Sequence, residues 1–219
     1  MSRPLLYCLH GWGLDASIFE PLAAALPEFD FICPDRGFFH SELATPPTWP
    51  CIGLGHSLGF LDLLALTERL RGLVSLSGFS RFIRGPHHPA GVAPALLARL
   101  RRRFAHDAAV TLAEFYALCA APPGFRPPDP RQADHERLLQ GLDLLAEADR
   151  SPELTRLELP VLALYAADDR VVPAELSRTT FTGRTVERVE RPDGGHFLAQ
   201  TRPDWVANQL RNFVRRHVL

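Results

Sequence analysis

The stretch CIGLGHSLGF, residues 51–60, closes an apolar run with Ser57 set between Gly55 and Gly59. A serine hydroxyl is a weak nucleophile near neutral pH; it needs an imidazole to take its proton, and that ring needs a carboxylate to orient it. Both partner types occur further along the chain. LYAADDRVVP places Asp168 and Asp169 just past another apolar run, and PDGGHFLAQ places His196 in a glycine-rich loop before the last helical pattern. Serine, acid, histidine is the order expected when the serine sits on a sharp strand-to-helix turn with its hydroxyl standing above the end of a sheet. Two adjacent aspartates cannot both face one imidazole, so Asp168 and Asp169 compete for that role. The bland alternative for Ser57 is an N-cap of the following helix. That alternative leaves the flanking glycines unexplained, whereas a tight turn needs them where a Cβ would collide with a second backbone segment.

Acyl transfer also requires backbone N–H groups aimed at the negative charge that develops on the carbonyl oxygen. Leu58, immediately after the serine, supplies one at the start of a helix whose dipole helps. The loop HGWG, His10 to Gly13, follows the first apolar run and supplies the other from Trp12, whose indole would also wall an acyl pocket. The remaining histidines, His10, His40, His56, His87, His88, His106, His135 and His217, are poorer bases. His10 and His56 sit at turns where main-chain geometry matters most, and the others fall away from strand ends. His87 and His88 lack the further ligands that a metal site needs. No metal or cofactor is expected.

These residues require a scaffold that brings several strand ends together. PLLYCLHG, FDFICPD, CIGLGH and RGLVSLSGF read as strands, with helices predicted over ASIFEPLAAAL, capped by Asp15 and stopped by Pro27, and over SLGFLDLLALTERL. Residues 36–50, rich in proline and aromatics, read as a loop with one helical turn. Strands alternating with helices predict a parallel, three-layer α/β sheet. Residues 81–150 break the alternation with three helical patterns, APALLARLRRRFAHD, AAVTLAEFYALCA and PRQADHERLLQGLDLLAEA. The alternation returns with LPVLALYAADD, RTVERVE and the closing helix PDWVANQLRNFVRRH. The predicted organisation is a core of residues 1–80 and 151–219 split by a helical cap of residues 81–150.

Composition narrows the function classes. The chain has 219 residues and a net charge of −1, so nothing in its charge balance favours nucleic acid or a membrane surface. All 24 basic residues are arginine, which excludes Schiff-base chemistry on lysine and a lysine-bearing phosphate loop. Cys8, Cys33, Cys51 and Cys119 have no metal-ligand spacing, and three lie in apolar strand-like runs, as in a reduced, cytoplasmic protein. The N-terminal apolar run is too short for a signal peptide or a membrane span. A monomer is expected.

With HGWG, GHSLG, D-x-x-V-P and GGHF in this order, the chain resembles the α/β-hydrolase superfamily along nearly its whole length. Within it the chain is similar to the pimeloyl-[acyl-carrier protein] methyl ester carboxylesterases of biotin synthesis. The matching stretches are LHGWGLDASIFEPLAAAL, TLAEFYALCA and GLDLLAEADRSPELTRLELPVLALYAADDRVVP. The resemblance implies an α/β-hydrolase fold with a shortened parallel sheet and a helical cap. It implies Ser57 as nucleophile, His196 as base and Asp169, four residues before Pro173, as its orienter, with Asp168 as runner-up. Trp12 and Leu58 would form the oxyanion hole. Phe115, Tyr116, Ala117, Leu118 and Cys119 would line the acyl chain with Trp12, Ser57, Leu58 and His196, although glutamine is usual where Cys119 stands. The implied substrate is the methyl ester at the far end of a pimeloyl chain on acyl carrier protein. The family's cap arginines do not map one to one; Arg99, Arg101, Arg102 and Arg103, one helix earlier, are candidates to meet the acidic carrier, with a solvated helix face as the alternative. Against that resemblance, the first strand is expected to match the family's third, without the leading antiparallel hairpin; the helix before the nucleophile strand is expected to be cut to a loop, and Phe60 stands where a second glycine is usual. Competing readings are a general short-chain esterase, a carbon–carbon bond hydrolase with the same triad, and a catalytically silent binding protein.

Overall fold

The computed structural model describes residues 3–39, 47, 50–183 and 185–218. His40 and most of the loop expected over residues 36–50 lie outside them. Six strands, β1 (Leu5–Leu9), β2 (Asp30–Ile32), β3 (Cys51–His56), β4 (Leu70–Leu76), β5 (Val161–Ala166) and β6 (Val186–Arg191), form one sheet in the order β2-β1-β3-β4-β5-β6. Every pairing is parallel. Successive side chains along a strand point to opposite faces, and both faces of this sheet are covered. Leu6 and Cys8 of β1 and Leu162 and Leu164 of β5 join one apolar cluster, whereas Tyr7, Leu9, Val161 and Ala163 join another on the far side.

The helices are α1 (Glu20–Ala25), α2 (Leu58–Leu64), α3 (Pro94–His106), α4 (Ala108–Leu118), α5 (His135–Glu147), α6 (Ser151–Thr155), α7 (Ala174–Thr180), α8 (Leu198–Thr201) and α9 (Pro203–His217). Leu22 and Leu210, from α1 and α9, pack on one face of the sheet, and Leu63 of α2 packs on the other. Between β4 and β5 the chain leaves the sheet to build α3, α4 and α5. It departs and returns at one point: Arg81 bridges Asp149 in antiparallel fashion, their side chains pair at 2.7 Å, and Arg150 N–H donates to Ser80 O at 2.8 Å.

Several boundaries differ from the periodicity. The helix expected over residues 16–26 begins as a 3-10 turn, Ala16–Phe19, which Asp15 caps by accepting from Ser17 N–H at 3.0 Å. Pro21 has no N–H to donate back to Ser17, so the α-helical ladder starts only at Glu20. β2 keeps three residues of its predicted seven. The helix after Ser57 stops at Leu64 and a second 3-10 turn, Thr67–Arg69, carries the chain into β4. Residues 81–92 form isolated bridges, Ile83 with Val92 and Gly85 with His88, before any helix begins.

Candidate active site

Ser57 occupies the single-residue turn between β3 and α2, with φ +53° and ψ −120°. Such a backbone costs a non-glycine residue about 1–3 kcal/mol and persists only where the surroundings impose it. Here Ser57 N–H donates to Leu76 O and Ser57 O accepts from Phe60 N–H, both at 3.0 Å. The hydroxyl makes no N-cap bond. The two glycines answer to backbone contacts. A Cβ on Gly55 would stand 2.5 Å from Phe60 Cα, and one on Gly59 would overlap the Leu9 carbonyl. Phe60 fits because Gly78, after β4, has no Cβ: one placed there would come within 2.7 Å of Phe60 Cβ. The Phe60 ring then stacks edge-on with Phe181 at 5.4 Å.

The two aspartates after β5 have separate tasks. Asp169 Oδ2 pairs with His196 Nδ1 at 2.8 Å, while its Oδ1 accepts from Val171 N–H at 2.8 Å and Val172 N–H at 2.9 Å. Burial opposes its charge, but the His196 ring and the two amides outweigh that and hold the carboxyl below its ordinary range. Asp168 is exposed and turns to the backbone of the histidine loop, accepting from Gly195 N–H at 2.8 Å and Gly194 N–H at 3.3 Å. Asp169 therefore sets the ring and Asp168 the loop beneath it. His196 is 1% exposed, and its Nε2 has no hydrogen-bond partner among the described residues.

His56, one residue before the serine, closes the connection between the two segments. Its ring lies 4.7 Å from that of His196, and its Nε2–H donates to the His196 carbonyl at 3.0 Å. Burial, and then the neighbouring His196 ring, lower its pKa to about 3, so at neutral pH it is an uncharged strut.

The HGWG loop reaches Ser57 from β1. A Cβ on Gly11 would lie 3.0 Å from Ser57 Cβ and 2.9 Å from His56 Nδ1, so only glycine lets the loop come this close. No acceptor among the described residues takes the backbone N–H of Trp12 or of Leu58. Trp12 itself is held by all three inserted helices. Its indole N–H donates to Leu138 O in α5 at 2.7 Å, and its ring packs edge-on against Phe104 of α3 at 5.6 Å and Phe115 of α4 at 5.1 Å. Tyr116 O–H donates to Gly13 O at 2.8 Å, so this hydroxyl, expected along an acyl chain, is spent on the loop.

The rest of α4 is divided by helical geometry, which turns about 100° per residue. Phe115, Tyr116 and Cys119 are buried; Ala117 and Leu118 are exposed. Cys119 is fully buried, and burial pushes its thiol pKa well up, with Asp169 adding to the shift. Arg99, Arg101, Arg102 and Arg103 are all exposed. Arg101 pairs with Asp143 at 2.6 Å and Arg103 with Glu114, whereas Arg99 and Arg102 have no carboxylate partner among the described residues. Arg99 and Arg103 line a cleft of about 650 Å³ between α3, α4 and the acid loop, together with Leu96, Leu118 and Arg170. Among the described residues no group of three His, Cys, Asp or Glu could hold a metal ion, and no helix is long and apolar enough to cross a membrane.

A parallel sheet with a strained serine turn at the end of β3 and an acid–histidine pair on the loops after β5 and β6 is the layout of a hydrolase fold. The alpha/beta hydrolase family matches residues 6–209, and the chain belongs to that family. It is similar to the pimeloyl-[acyl-carrier protein] methyl ester esterase of Stenotrophomonas maltophilia (strain R551-3), 31% identical over 240 residues, which span 96% of this chain and 93% of the relative. The enzyme of the same name from Aeromonas hydrophila is 32% identical over 78% of this chain and 79% of its own. Among solved structures, an esterase from Exiguobacterium antarcticum superposes with a TM-score of 0.83 at 18% identity, covering 98% of this chain and 92% of that one. A bromoperoxidase from Bacillus anthracis gives the same TM-score at 17% identity, covering 97% and 92%. The fold is thus shared by proteins named for different reactions.

Proposed function

We propose that this chain is a serine carboxylesterase that hydrolyses the methyl ester of a pimeloyl chain carried by acyl carrier protein, releasing methanol and the free carboxylate. The observation that carries the reading is the buried Asp169–His196 pair beside a serine held at positive φ. The names of the relatives supply the substrate.

In this reading Ser57 Oγ attacks the ester carbonyl as His196 Nε2, free of any other bond, takes its proton. The bond between these two atoms forms when substrate closes the site, since catalytic contacts are often long in unliganded enzymes. Asp169 stabilises the imidazolium without taking its proton. The Trp12 and Leu58 N–H groups receive the oxyanion, each worth about 3–4 kcal/mol of barrier. Collapse expels methanol, protonated by His196. Water then attacks the acyl-serine with His196 again as base, and the carboxylic acid leaves. Residues 81–150 act as the cap, with Phe115 and Trp12 walling the acyl group. Arg99 and Arg102, without a carboxylate partner among the described residues, are the cap arginines best placed to receive an acidic carrier, ahead of Arg101 and Arg103, which already hold carboxylates.

The test is methanol release from the carrier-borne methyl ester and from free methyl pimelate. The reading expects a kcat/KM at least tenfold higher for the carrier-borne ester. Equal values make the chain a general esterase, and turnover surviving in Ser57→Ala removes the serine mechanism.

A further inference from the structure

His10 makes no contact with His196 among the described residues, yet it is completely buried as the first residue of the HGWG loop that reaches Ser57. Its ring has two neighbours that settle its protons. Arg36 N–H donates to Nε2 at 3.0 Å, so Nε2 is an acceptor and carries no hydrogen. In a neutral imidazole the proton then belongs to Nδ1, which lies 3.0 Å from the Gly11 carbonyl and donates to it. Protonating the ring would set an Nε2–H against the Arg36 N–H. Burial, with Arg36 nearby, lowers the pKa to about 4 and keeps the ring neutral at working pH. Asp35 Oδ2, 3.7 Å from Nε2, is beyond hydrogen-bond range. Phe38 meets the ring edge-on at 5.9 Å.

The Gly11 carbonyl and the Trp12 N–H are the two ends of one planar trans peptide and point in opposite directions. Whatever holds the carbonyl therefore aims the N–H. We propose that His10 is a positioning residue for the oxyanion hole: by donating Nδ1–H to the Gly11 carbonyl it turns the Trp12 N–H towards the oxygen of the ester under attack at Ser57. The chain of restraint runs from the Arg36 amide through one imidazole to the Gly11–Trp12 peptide. The inference rests on Ser57 as nucleophile and on Trp12 as an oxyanion donor.

The test compares His10→Asn with His10→Leu. The two side chains have nearly the same shape, but only asparagine places an N–H where Nδ1 stands. Activity is read with p-nitrophenyl butyrate, per active site titrated with a fluorophosphonate, alongside the inhibition constant of butylboronic acid, whose adduct with serine carries a tetrahedral anion. His10→Leu should lose about 10- to 100-fold in kcat relative to His10→Asn at similar KM, short of the 10²–10³ expected for deleting a donor outright. The boronate should weaken by a comparable factor. Equal kcat and boronate affinity in the two variants overturn the proposal, because a residue that only packs would affect both alike. Wild-type protein supplies a check that needs no variant: long-range 1H–15N spectra should show the His10 ring protonated at Nδ1 alone from pH 8 to 5, and an Nε2-protonated ring overturns the proposal. Failure of the underlying mechanism looks different, since fluorophosphonate would then not label the wild-type chain at Ser57.

Discussion

Replacing Asp169 by asparagine changes one oxygen into an NH2 group, and the surrounding amides decide which one. Oδ1 accepts from both Val171 N–H and Val172 N–H. An NH2 group there would face two donors and lose both bonds, so the amide oxygen must take that side. The NH2 is then directed at His196 Nδ1, where the native carboxylate accepts at 2.8 Å. His196 can keep a hydrogen bond only by accepting, which moves its proton to Nε2 and leaves no lone pair there for the Ser57 proton. Wrong-tautomer variants of this kind lose about 10⁴ in kcat, equivalent to ~5 kcal/mol of barrier at about 1.4 kcal/mol per factor of ten. Asp168→Asn meets no such conflict. Its amide oxygen can keep the 2.8 Å bond from Gly195, and only the 3.3 Å bond from Gly194 is lost. One modest hydrogen bond is worth ~1 kcal/mol, which bounds the effect near fivefold. Hydrolysis of p-nitrophenyl butyrate by the two variants, each checked for an unchanged melting temperature, measures the contrast. A loss below about tenfold for Asp169→Asn, or a larger loss for Asp168→Asn, would refute the division of labour between the neighbours.

Tyr116→Phe keeps the ring and removes the bond to Gly13 O; kcat for a small ester should fall several-fold while its KM stays within twofold, and a change confined to KM would return this residue to the acyl pocket. Gly59→Ala drives a methyl into the Leu9 carbonyl. Overpacking of this kind costs about 1–3 kcal/mol or more, so thermal melts should show a loss of several degrees or no folded protein. Acid should destabilise the chain in a window set by His56 and His10, whose folded pKa values of about 3 and about 4 lie below the ordinary 6.5. Between pH 6.5 and those values the unfolded chain takes up protons that the fold refuses, so stability falls as pH falls, by up to ~1.4 kcal/mol per pH unit for each ring. Urea midpoints measured from pH 7 to 4.5 should decline, with a shallower slope in His56→Gln. Finally, Arg99→Glu with Arg102→Glu should raise KM for a carrier-borne ester and leave a small soluble ester untouched, with the difference shrinking at high salt. If Arg101→Glu with Arg103→Glu raises it more, the carrier displaces the Asp143 and Glu114 pairs instead.

Much of this arrangement is legible in the chain because buried parallel strands read as unbroken apolar runs, so their ends can be found by eye. Ser57 and the Asp168-Asp169 pair each follow such a run, whereas His196 follows the alternating VERVER of the edge strand β6; the structure places all of them past strand ends. The boundaries that moved have local causes, such as Pro21 delaying the first helix. What periodicity does not report is contact between distant segments. Spacing could not show that His56 reaches the carbonyl of His196, 140 residues away, or that Tyr116 spends its hydroxyl on Gly13, 103 residues before it. Choosing between Asp168 and Asp169 required motif register, since adjacent identical side chains carry no other signal. Phe60 departs from the usual elbow, and what accommodates it is Gly78 on the loop after β4, which has no Cβ to meet it.

The grip of α3, α4 and α5 on Trp12 bears on how such enzymes can be rebuilt. Because the inserted helices enter and leave through a single neck at Arg81 and Asp149, they look like a module that could be swapped for a relative's to change substrate range. A graft would bring new acyl contacts but would also discard the Leu138 carbonyl, the Tyr116 hydroxyl and the Phe104 and Phe115 rings that immobilise the tryptophan. Under the proposed mechanism, selectivity and turnover would therefore be inherited together. A chimera that kept those four groups while varying the outer faces of the helices would be the one able to separate them.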